Sequence, residues 1–140
     1  MIIADSGFWI ALGNRRDRHH ARAVQAAQTW SAEGFVTTWP VMTEVVHLLA
    51  ARVSVTQATT FVRDIARGAA VVADLPESAL HRIDTLMTRY ADLPMDLADA
   101  SLVILAEEND DGRILSTDQR DFAGYRWKTR RPFRNLLLDA

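Results

Sequence analysis

Four acidic side chains stand where an apolar, strand-like run gives way to a polar turn or to the start of a helix. They are Asp5, Glu44, Asp99 and Asp118. In an open α/β sheet the carboxyl ends of parallel strands share one edge, so residues far apart in the chain can meet there. Carboxylates brought together repel one another unless a cation lies between them. The pattern therefore predicts a site for a hard divalent ion such as Mg²⁺, which prefers oxygen ligands and keeps waters that a phosphate can replace.

Each acid also has a structural explanation. Asp5, directly after the first apolar run, can cap the helix that follows it. Glu44 can be an ordinary solvated helix residue, and Asp118 can form a turn. Asp96 and Asp99 lie three apart in the first turn of one helix, where the helix dipole favours carboxylates. Asp96 is the better capping candidate of the two, so Asp99 is the better candidate for chemistry.

The hydrophobic pattern predicts short strands alternating with helices. Strands are expected at residues 1–4, 35–38, 70–73, 113–115 and 133–138, and helices at 8–12, 21–32, 40–52, 54–67, 76–90 and 96–108. Short apolar strands separated by helices favour a mostly parallel sheet covered on both faces. We therefore expect a single α/β domain over residues 1–140, built as a three-layer α/β/α sandwich with a mostly parallel central sheet.

Composition excludes several classes of protein. The 140 residues are 49% hydrophobic, enough for a buried core, and none is cysteine, which rules out disulfides and thiol chemistry. No segment is long and apolar enough to cross a membrane, and a charged residue at position 5 interrupts any signal peptide. We therefore expect a soluble, cytoplasmic protein with no membrane partner. A phosphate-binding Gly-x-x-x-x-Gly-Lys motif is also absent, so nucleoside triphosphate hydrolysis is not expected.

Basic residues are concentrated in two segments, although the formal net charge is only −2. Lys128 is the only lysine, and the planar guanidinium of arginine suits bidentate phosphate contacts. Both segments are candidates for holding a nucleic-acid backbone, and solvated surface charge is the alternative. The first segment contains Arg15, Arg16, Arg18 and Arg22, and the second contains Arg113, Arg120, Arg126, Lys128, Arg130, Arg131 and Arg134.

Tryptophan and histidine residues give weaker indications. Trp9, Trp39 and Trp127 could stack on nucleobases, although an aromatic side chain in so small a domain is more often part of the core. His19 and His20 are adjacent, so on a helix they face different directions. They are not expected to form a metal site or to act as a general base.

The sequence resembles the PIN-domain ribonucleases, and within that group the VapC-type toxins of bacterial toxin–antitoxin pairs. The resemblance covers essentially the whole chain, because four motifs occur in the family's order and spacing. The motifs are Ile-Ile-Ala-Asp-Ser, Thr-Glu-Val-Val-His-Leu-Leu, Asp-Leu-Ala-Asp-Ala-Ser-Leu-Val and Ile-Leu-Ser-Thr-Asp-Gln-Arg-Asp-Phe. They align the family's acidic quartet with Asp5, Glu44, Asp99 and Asp118.

This resemblance implies a PIN-like fold and a Mg²⁺- or Mn²⁺-dependent endoribonuclease. The metal would be held mainly by Asp5 and Asp99, with Asp118 and Glu44 binding directly or through water. The metal would polarise the scissile phosphate and lower the pKa of bound water. Glu44 would orient the attacking water or accept its proton.

Three further residues are assigned supporting roles by the same resemblance. Ser6 matches the family's hydroxyl beside the first acid, and Ser116 matches the hydroxyl two residues before the last acid. Either could hydrogen-bond to metal ligands or waters. The Asp-Ala-Ser-Leu-Val context favours Asp99 as the third acid, so Asp96 would be a cap or a carboxylate behind the ligands.

The implied partners are RNA, a small cognate antitoxin and a second copy of the chain. Single-stranded or looped RNA is the expected substrate because its bases can splay out and stack. The helices at 40–52 and 54–67 are candidates for the antitoxin surface because both are apolar over broad faces. The expected RNA contacts are Arg15, Arg16, Arg120, Arg126, Lys128, Arg130 and Arg131.

Two other functions are consistent with acids at strand ends. Phosphoryl transfer to an aspartate, as in phosphatases and response-regulator receivers, normally requires a lysine near the phosphate. Lys128 lies in a basic tail rather than after a strand, which argues against this chemistry. The remaining alternative is a catalytically idle PIN-like module that binds RNA or acts as a scaffold. The complete acidic quartet argues against an idle module.

Overall fold

The computed structural model describes residues 1–139 as strands and helices that alternate along most of the chain. The strands are β1 (Ile2–Ala4), β2 (Phe35–Thr38), β3 (Val71–Ala73), β4 (Arg113–Leu115), β5 (Arg126–Trp127), β6 (Arg131–Pro132) and β7 (Arg134–Asn135). The helices are α1 (Ser6–Gly13), α2 (His20–Trp30), α3 (Trp39–Arg52), α4 (Val55–Ala66), α5 (Leu80–Arg89), α6 (Leu97–Asn109) and α7 (Gln119–Gly124). A 3₁₀ turn at Glu77–Ala79 precedes α5.

Five strands form one parallel sheet in the order β3-β2-β1-β4-β7. From β1 the chain first adds strands on one side and later, with β4, on the other. The carboxyl ends of β1 and β4 therefore lie at the switch point where open α/β sheets bind ligands. This parallel sheet flanked by helices confirms the predicted three-layer α/β/α class.

The core lies between the sheet and its helices. Ile2, Ile3 and Ala4 of β1 are fully buried, as expected for a central parallel strand. Helix α6 is buried on several sides, from Ala98 to Ala106. Within residues 1–139 no helix combines the length and the hydrophobicity needed to cross a bilayer.

Several predicted boundaries differ from those in the structure. Helix α1 begins at Ser6 rather than at residue 8. The predicted helix 76–90 is divided into the 3₁₀ turn and α5. The predicted strand 133–138 is reduced to β7, because the Asn135 side chain accepts the Leu137 N–H at 3.1 Å and the Asn135 carbonyl accepts the Asp139 N–H at 3.0 Å. These local bonds turn the chain and end the strand.

Two elements were not predicted at all. Helix α7 has only six residues, too few to produce a helical hydrophobic period. The antiparallel pair β5–β6 turns through Lys128 and Thr129, which have φ values of 47° and 70°. Non-glycine residues rarely adopt this left-handed conformation, and the sequence lacks the Asn-Gly or Asp-Gly signal of a tight hairpin.

Candidate active site

Asp5 lies at the carboxyl end of β1 with only 5% of its surface exposed. Its Oδ1 accepts a hydrogen bond from the Ser6 N–H at 2.7 Å, and its Oδ2 accepts one from the Ser116 hydroxyl at 2.8 Å. Burial raises the pKa of Asp5 to about 6, and the Ser116 bond works against this rise. The charges of Glu44 and Asp118 raise the pKa further, so these three acids share one electrostatic environment.

Ser116 connects three parts of the site. Its fully buried hydroxyl donates to Asp5 and accepts the Asp118 N–H at 2.9 Å. The backbone of Ser116 is in turn held by Asn135 on β7, whose side-chain nitrogen donates to the Ser116 carbonyl at 2.9 Å and whose side-chain oxygen accepts the Ser116 N–H at 3.3 Å. Sequence analysis did not identify Asn135, which lies nineteen residues away from Ser116.

The first turn of α1 packs closely against the connection between β4 and α7. A Cβ atom at Gly7 would lie 1.8 Å from the Thr117 hydroxyl oxygen, so the residue at this position must be glycine for the two segments to approach. The buried Ser6 hydroxyl lies in the same turn, 3.4 Å from Asp5 Oδ1. Close approach at Gly7 therefore brings the segment containing Asp118 to the end of β1.

Asp96 and Asp99 form a capping box at the start of α6. Asp96 Oδ1 accepts the Asp99 N–H at 2.8 Å, and Asp99 Oδ2 accepts the Asp96 N–H at 3.4 Å. Asp96 is thus the predicted cap, but Asp99 has a larger structural role than expected. The pKa of Asp99 is raised to about 8. Burial is the largest cause, and the negative charges of Asp96 and Asp5 raise the pKa further.

Tyr125 is a second residue that sequence analysis missed. Its fully buried hydroxyl lies 3.2 Å from Asp99 Oδ2 and 3.0 Å from the Leu93 carbonyl, and these two acceptors share its single proton. The ring packs edge-on against Tyr90 and Phe122, with centroids 5.2 Å away in each case. Tyr125 therefore links Asp99 to the segment before α6. Tyr125 and Asp99 are 26 residues apart in the chain, so no local sequence signal reveals this contact.

Two acids belong to α7. Asp118 caps this helix by accepting the Asp121 N–H at 3.2 Å. Burial raises the pKa of Asp121 to about 6, and the neighbouring Asp118 raises it further. Asp121 was not predicted as part of the site, although its spacing of three from Asp118 within one helical turn was a usable signal.

Glu44 lies on α3 and is partly buried. Burial raises its pKa, the charge of Asp96 adds to the rise, and the Ser6 hydroxyl lowers it. A groove of 610 Å³ runs past Glu44 and Asp96, and Trp39 forms part of its wall. Trp39 is 58% exposed, whereas Trp9 and Trp127 are buried in the core. Of the three candidate stacking residues, only Trp39 lies open beside the acids.

The donor set of this cluster fits a hard divalent ion. All ligands on offer are carboxylate or hydroxyl oxygens, and none of the ion pairs found within residues 1–139 involves Asp5, Glu44, Asp99 or Asp118. In the described part of the chain, however, no three acidic or histidine side chains lie close enough together to hold a metal ion. The oxygen donors by themselves suit Mg²⁺, which usually binds one or two carboxylates and retains several waters.

Within the second basic segment, the structure separates the residues of the β5–β6 hairpin from the acids. Helix α6 begins at the acidic edge and extends for about 20 Å towards the opposite edge. There Lys128 Nζ pairs with Asp110 at 2.7 Å, and Arg131 lies 3.5 Å from the same carboxylate. The Arg126 guanidinium donates to the backbone carbonyl groups of residues 123 and 125. These residues, and Arg130 in the same turn, are not brought to the acidic edge.

The other three predicted RNA contacts, Arg120, Arg15 and Arg16, lie outside the β5–β6 hairpin. Arg120 lies on α7, two residues after Asp118, and is exposed. Arg15 and Arg16 lie in the connection between α1 and α2. Together with Arg52 they line a cavity of 810 Å³ at the far end of α1 from Asp5.

A parallel sheet with acidic side chains at its switch point defines an α/β protein of the kind that binds ligands at this edge. Residues 2–128 match the family model of the PIN domain. The chain is 30% identical over 125 residues to ribonuclease VapC26 of Mycobacterium tuberculosis. This match covers 89% of this chain and 92% of that protein. The chain therefore belongs to the PIN-domain family, and the resemblance inferred from its motifs is confirmed.

A solved structure has the same fold. The crystal structure of VapC20 from Mycobacterium tuberculosis, described as a sarcin-ricin loop cleaving toxin, matches with a TM-score of 0.75. The match covers 86% of this chain and 92% of that one at 18% sequence identity. At this identity the likeness concerns the fold alone.

Proposed function

We propose that the protein is a metal-dependent endoribonuclease and the toxin of a toxin–antitoxin pair, with residues 1–140 forming one nuclease domain. The observation that carries this proposal is the cluster of carboxylates at the β1/β4 switch point of a PIN domain, without a protein counter-ion in the described residues. The ribonuclease name of VapC26 supports RNA as the substrate.

Asp5, Asp99 and Asp118 would hold Mg²⁺ or Mn²⁺. The bound ion would polarise the scissile phosphate and lower the pKa of water. Ser116 and Ser6 orient the Asp5 carboxylate, and Asp96 fixes the backbone of Asp99.

Glu44 would accept a proton from the attacking water at a carboxylate oxygen. Its raised pKa makes it a stronger base than an exposed glutamate, which suits this role. The water would attack the phosphorus directly while the bond from phosphorus to the leaving ribose oxygen breaks, so no covalent intermediate with the protein forms.

RNA contacts are proposed for Arg15, Arg16 and Arg120, which are exposed. Arg126, Lys128, Arg130 and Arg131 remain predicted contacts only for an RNA that continues around the domain to the opposite edge. A cytoplasmic location is proposed because the substrate is RNA.

The proposed protein partners are a cognate antitoxin and a second copy of the chain. Val53 and Val55, between α3 and α4, are 43% and 73% exposed and support the predicted antitoxin surface. Leu80 and Leu97 are also exposed and line a groove together with Trp39. This second apolar surface supports the homodimer.

RNA cleavage with and without divalent ions tests the proposed function. We expect cleavage in Mg²⁺ or Mn²⁺, none in a chelator, and a loss of activity in Asp5→Asn and Asp118→Asn with the fold retained, because each substitution removes a charged oxygen ligand. Glu44→Gln should lower the rate more than the metal affinity.

Asp64→Asn is the matched control, since Asp64 is exposed on α4 and should behave as the parent. Full activity of both aspartate variants in metal-replete buffer would contradict the assignment of the site. RNA binding without cleavage under every metal condition would favour the idle module.

A further inference from the structure

A second groove opens directly beside Asp118. It has a volume of 450 Å³ and is lined by Arg18, His19, Arg22, Thr117, Gln119 and Leu138. Thr117 and Gln119 are the two neighbours of Asp118 in the chain, so this groove adjoins the acidic edge. The opposite wall comes from the connection before α2 and from the first turn of that helix. This wall is cationic because it contains Arg18 and Arg22.

The two arginines of this wall are available to a ligand. Both are exposed, and neither belongs to an ion pair found within residues 1–139. The neighbouring acid, Asp17, accepts the His19 N–H at 2.8 Å through its side chain. Lys128 and Arg131 differ in this respect because they share Asp110. Within residues 1–139, therefore, no ion pair occupies the two guanidinium groups of this wall.

We propose that Arg18 and Arg22 bind a backbone phosphate of the RNA strand next to the cleaved bond, so that the strand leaves the acids through this groove. The inference rests on the proposed function and adds the path of the substrate. Two guanidinium groups offer a phosphate several donors in fixed geometry. Thr117 and Gln119 add neutral hydrogen-bonding groups to the other wall.

An RNA backbone fits this groove better than a protein segment does. Protein interfaces need a largely apolar core, and among the described residues Leu138 is the only aliphatic one that lines the groove. The exposed valines lie elsewhere, between α3 and α4. The groove also continues from the edge at which the scissile phosphate must bind, whereas the cavity at Arg15, Arg16 and Arg52 lies at the other end of α1.

Salt-dependent RNA binding tests this inference. The probe is a fluorescent polyuridylate of about 12 nucleotides, in EDTA so that no cleavage occurs. Removing two phosphate contacts in the Arg18→Gln/Arg22→Gln variant should weaken binding roughly tenfold or more at low salt. The slope of log affinity against log salt should fall by about 1.4, because each contact to a single strand contributes about 0.7.

The control is Arg63→Gln/Arg67→Gln, which removes the same charge from exposed positions on and directly after α4. A slope and an affinity equal to those of this control would overturn the proposal. So would a loss of polyglutamate binding without a loss of RNA binding, since the groove would then receive an acidic protein segment. Melting temperatures of both variants verify that the fold is retained.

Cleavage by the parent in Mn²⁺ is measured separately. If the parent does not cleave RNA but the salt slopes still differ, the groove stands and the nuclease proposal fails. If the parent cleaves RNA and the Arg18→Gln/Arg22→Gln variant has the same salt slope as the control, the nuclease proposal stands and the proposed role of the groove is wrong.

Discussion

Three aspartates at or near the acidic edge cap helices. Asp5 caps α1, Asp96 caps α6 and Asp118 caps α7. The amino-terminal ends of these helices carry partial positive charge, which favours a nearby carboxylate. The capping explanation and the chemical explanation of these residues therefore do not exclude each other, because the helix ends partly offset the repulsion between the acids.

Asp99 should make the metal-free protein less stable at neutral pH than at acidic pH. Burial raises its pKa in the folded protein to about 8, whereas the pKa in the unfolded chain is about 3.9. Between these values the folded state binds more protons than the unfolded state, so the free energy of unfolding decreases as the pH rises. Asp99→Asn removes this dependence and should stabilise the metal-free protein by roughly 0.5–2 kcal/mol at pH 7, or a few degrees.

Thermal melts from pH 5 to 8, with and without Mg²⁺, measure this effect. Mg²⁺ should stabilise the parent and have little effect on Asp99→Asn, because a ligand that binds only the folded state raises its apparent stability. Asp64→Asn should follow the parent throughout. A variant that melts lower but still responds to Mg²⁺ would show that Asp99 is mainly a helix-terminal carboxylate, and Asp96 would become the better candidate ligand.

Strand β7 is short, but it positions the end of β4. Asn135 satisfies both backbone groups of Ser116, and Ser116 then holds Asp5 and the amide of Asp118. A chain of hydrogen bonds thus runs from the edge strand to the acids. The geometry of the site depends on an element of only two residues.

Asn135→Ala should therefore reduce both stability and activity. The buried N–H and C=O of Ser116 would lose their partners, which costs roughly 1–3 kcal/mol in the free energy of unfolding. Denaturant unfolding measures this cost, and RNA cleavage in Mn²⁺ measures the effect on the site. Asn109→Ala, at the exposed end of α6, is the control and should change neither quantity. An unchanged unfolding free energy in Asn135→Ala would show that β7 does not support the acids.

Two groups of exposed apolar side chains lie in separate parts of the molecular surface. Trp39, Leu80 and Leu97 line one groove near the acidic edge. Val53 and Val55 lie at the junction of α3 and α4, at the opposite end of α3 from Trp39. Two separate apolar surfaces are what a protein with two different protein partners requires.

Leu80→Glu should weaken self-association if the first surface is the dimer contact. Burying a leucine contributes about 1.5–3 kcal/mol, so the dissociation constant of the dimer should rise more than tenfold. Sedimentation over a range of concentrations measures this change. Val55→Glu introduces the same charge on the second surface and should leave self-association unaltered. The opposite result would assign the dimer contact to the α3–α4 junction.

Much of the fold and of the site followed from local sequence patterns. Strand β2 and strand β4 have their predicted bounds, and the cap at Asp96 starts α6 where expected. Caps, glycine and proline signals and hydrophobic periods act over a few residues, so they can be read without the fold. Three members of the acidic quartet, Asp5, Asp99 and Asp118, were visible for a related reason, since each stands at or near the start of a helix.

Features that depend on contacts between distant segments were not visible in the sequence. Asn135 holds Ser116, and Tyr125 reaches Asp99, each across about twenty residues or more. Lys128 was predicted to contact RNA, but it lies at the opposite edge in an ion pair with Asp110. The sequence alone determined which residues are candidates for binding a cation, because residue type and position in the chain decide that. Folding decided which side chains orient those residues and which charges are already paired, because both depend on the packing of strands and helices far apart in the chain.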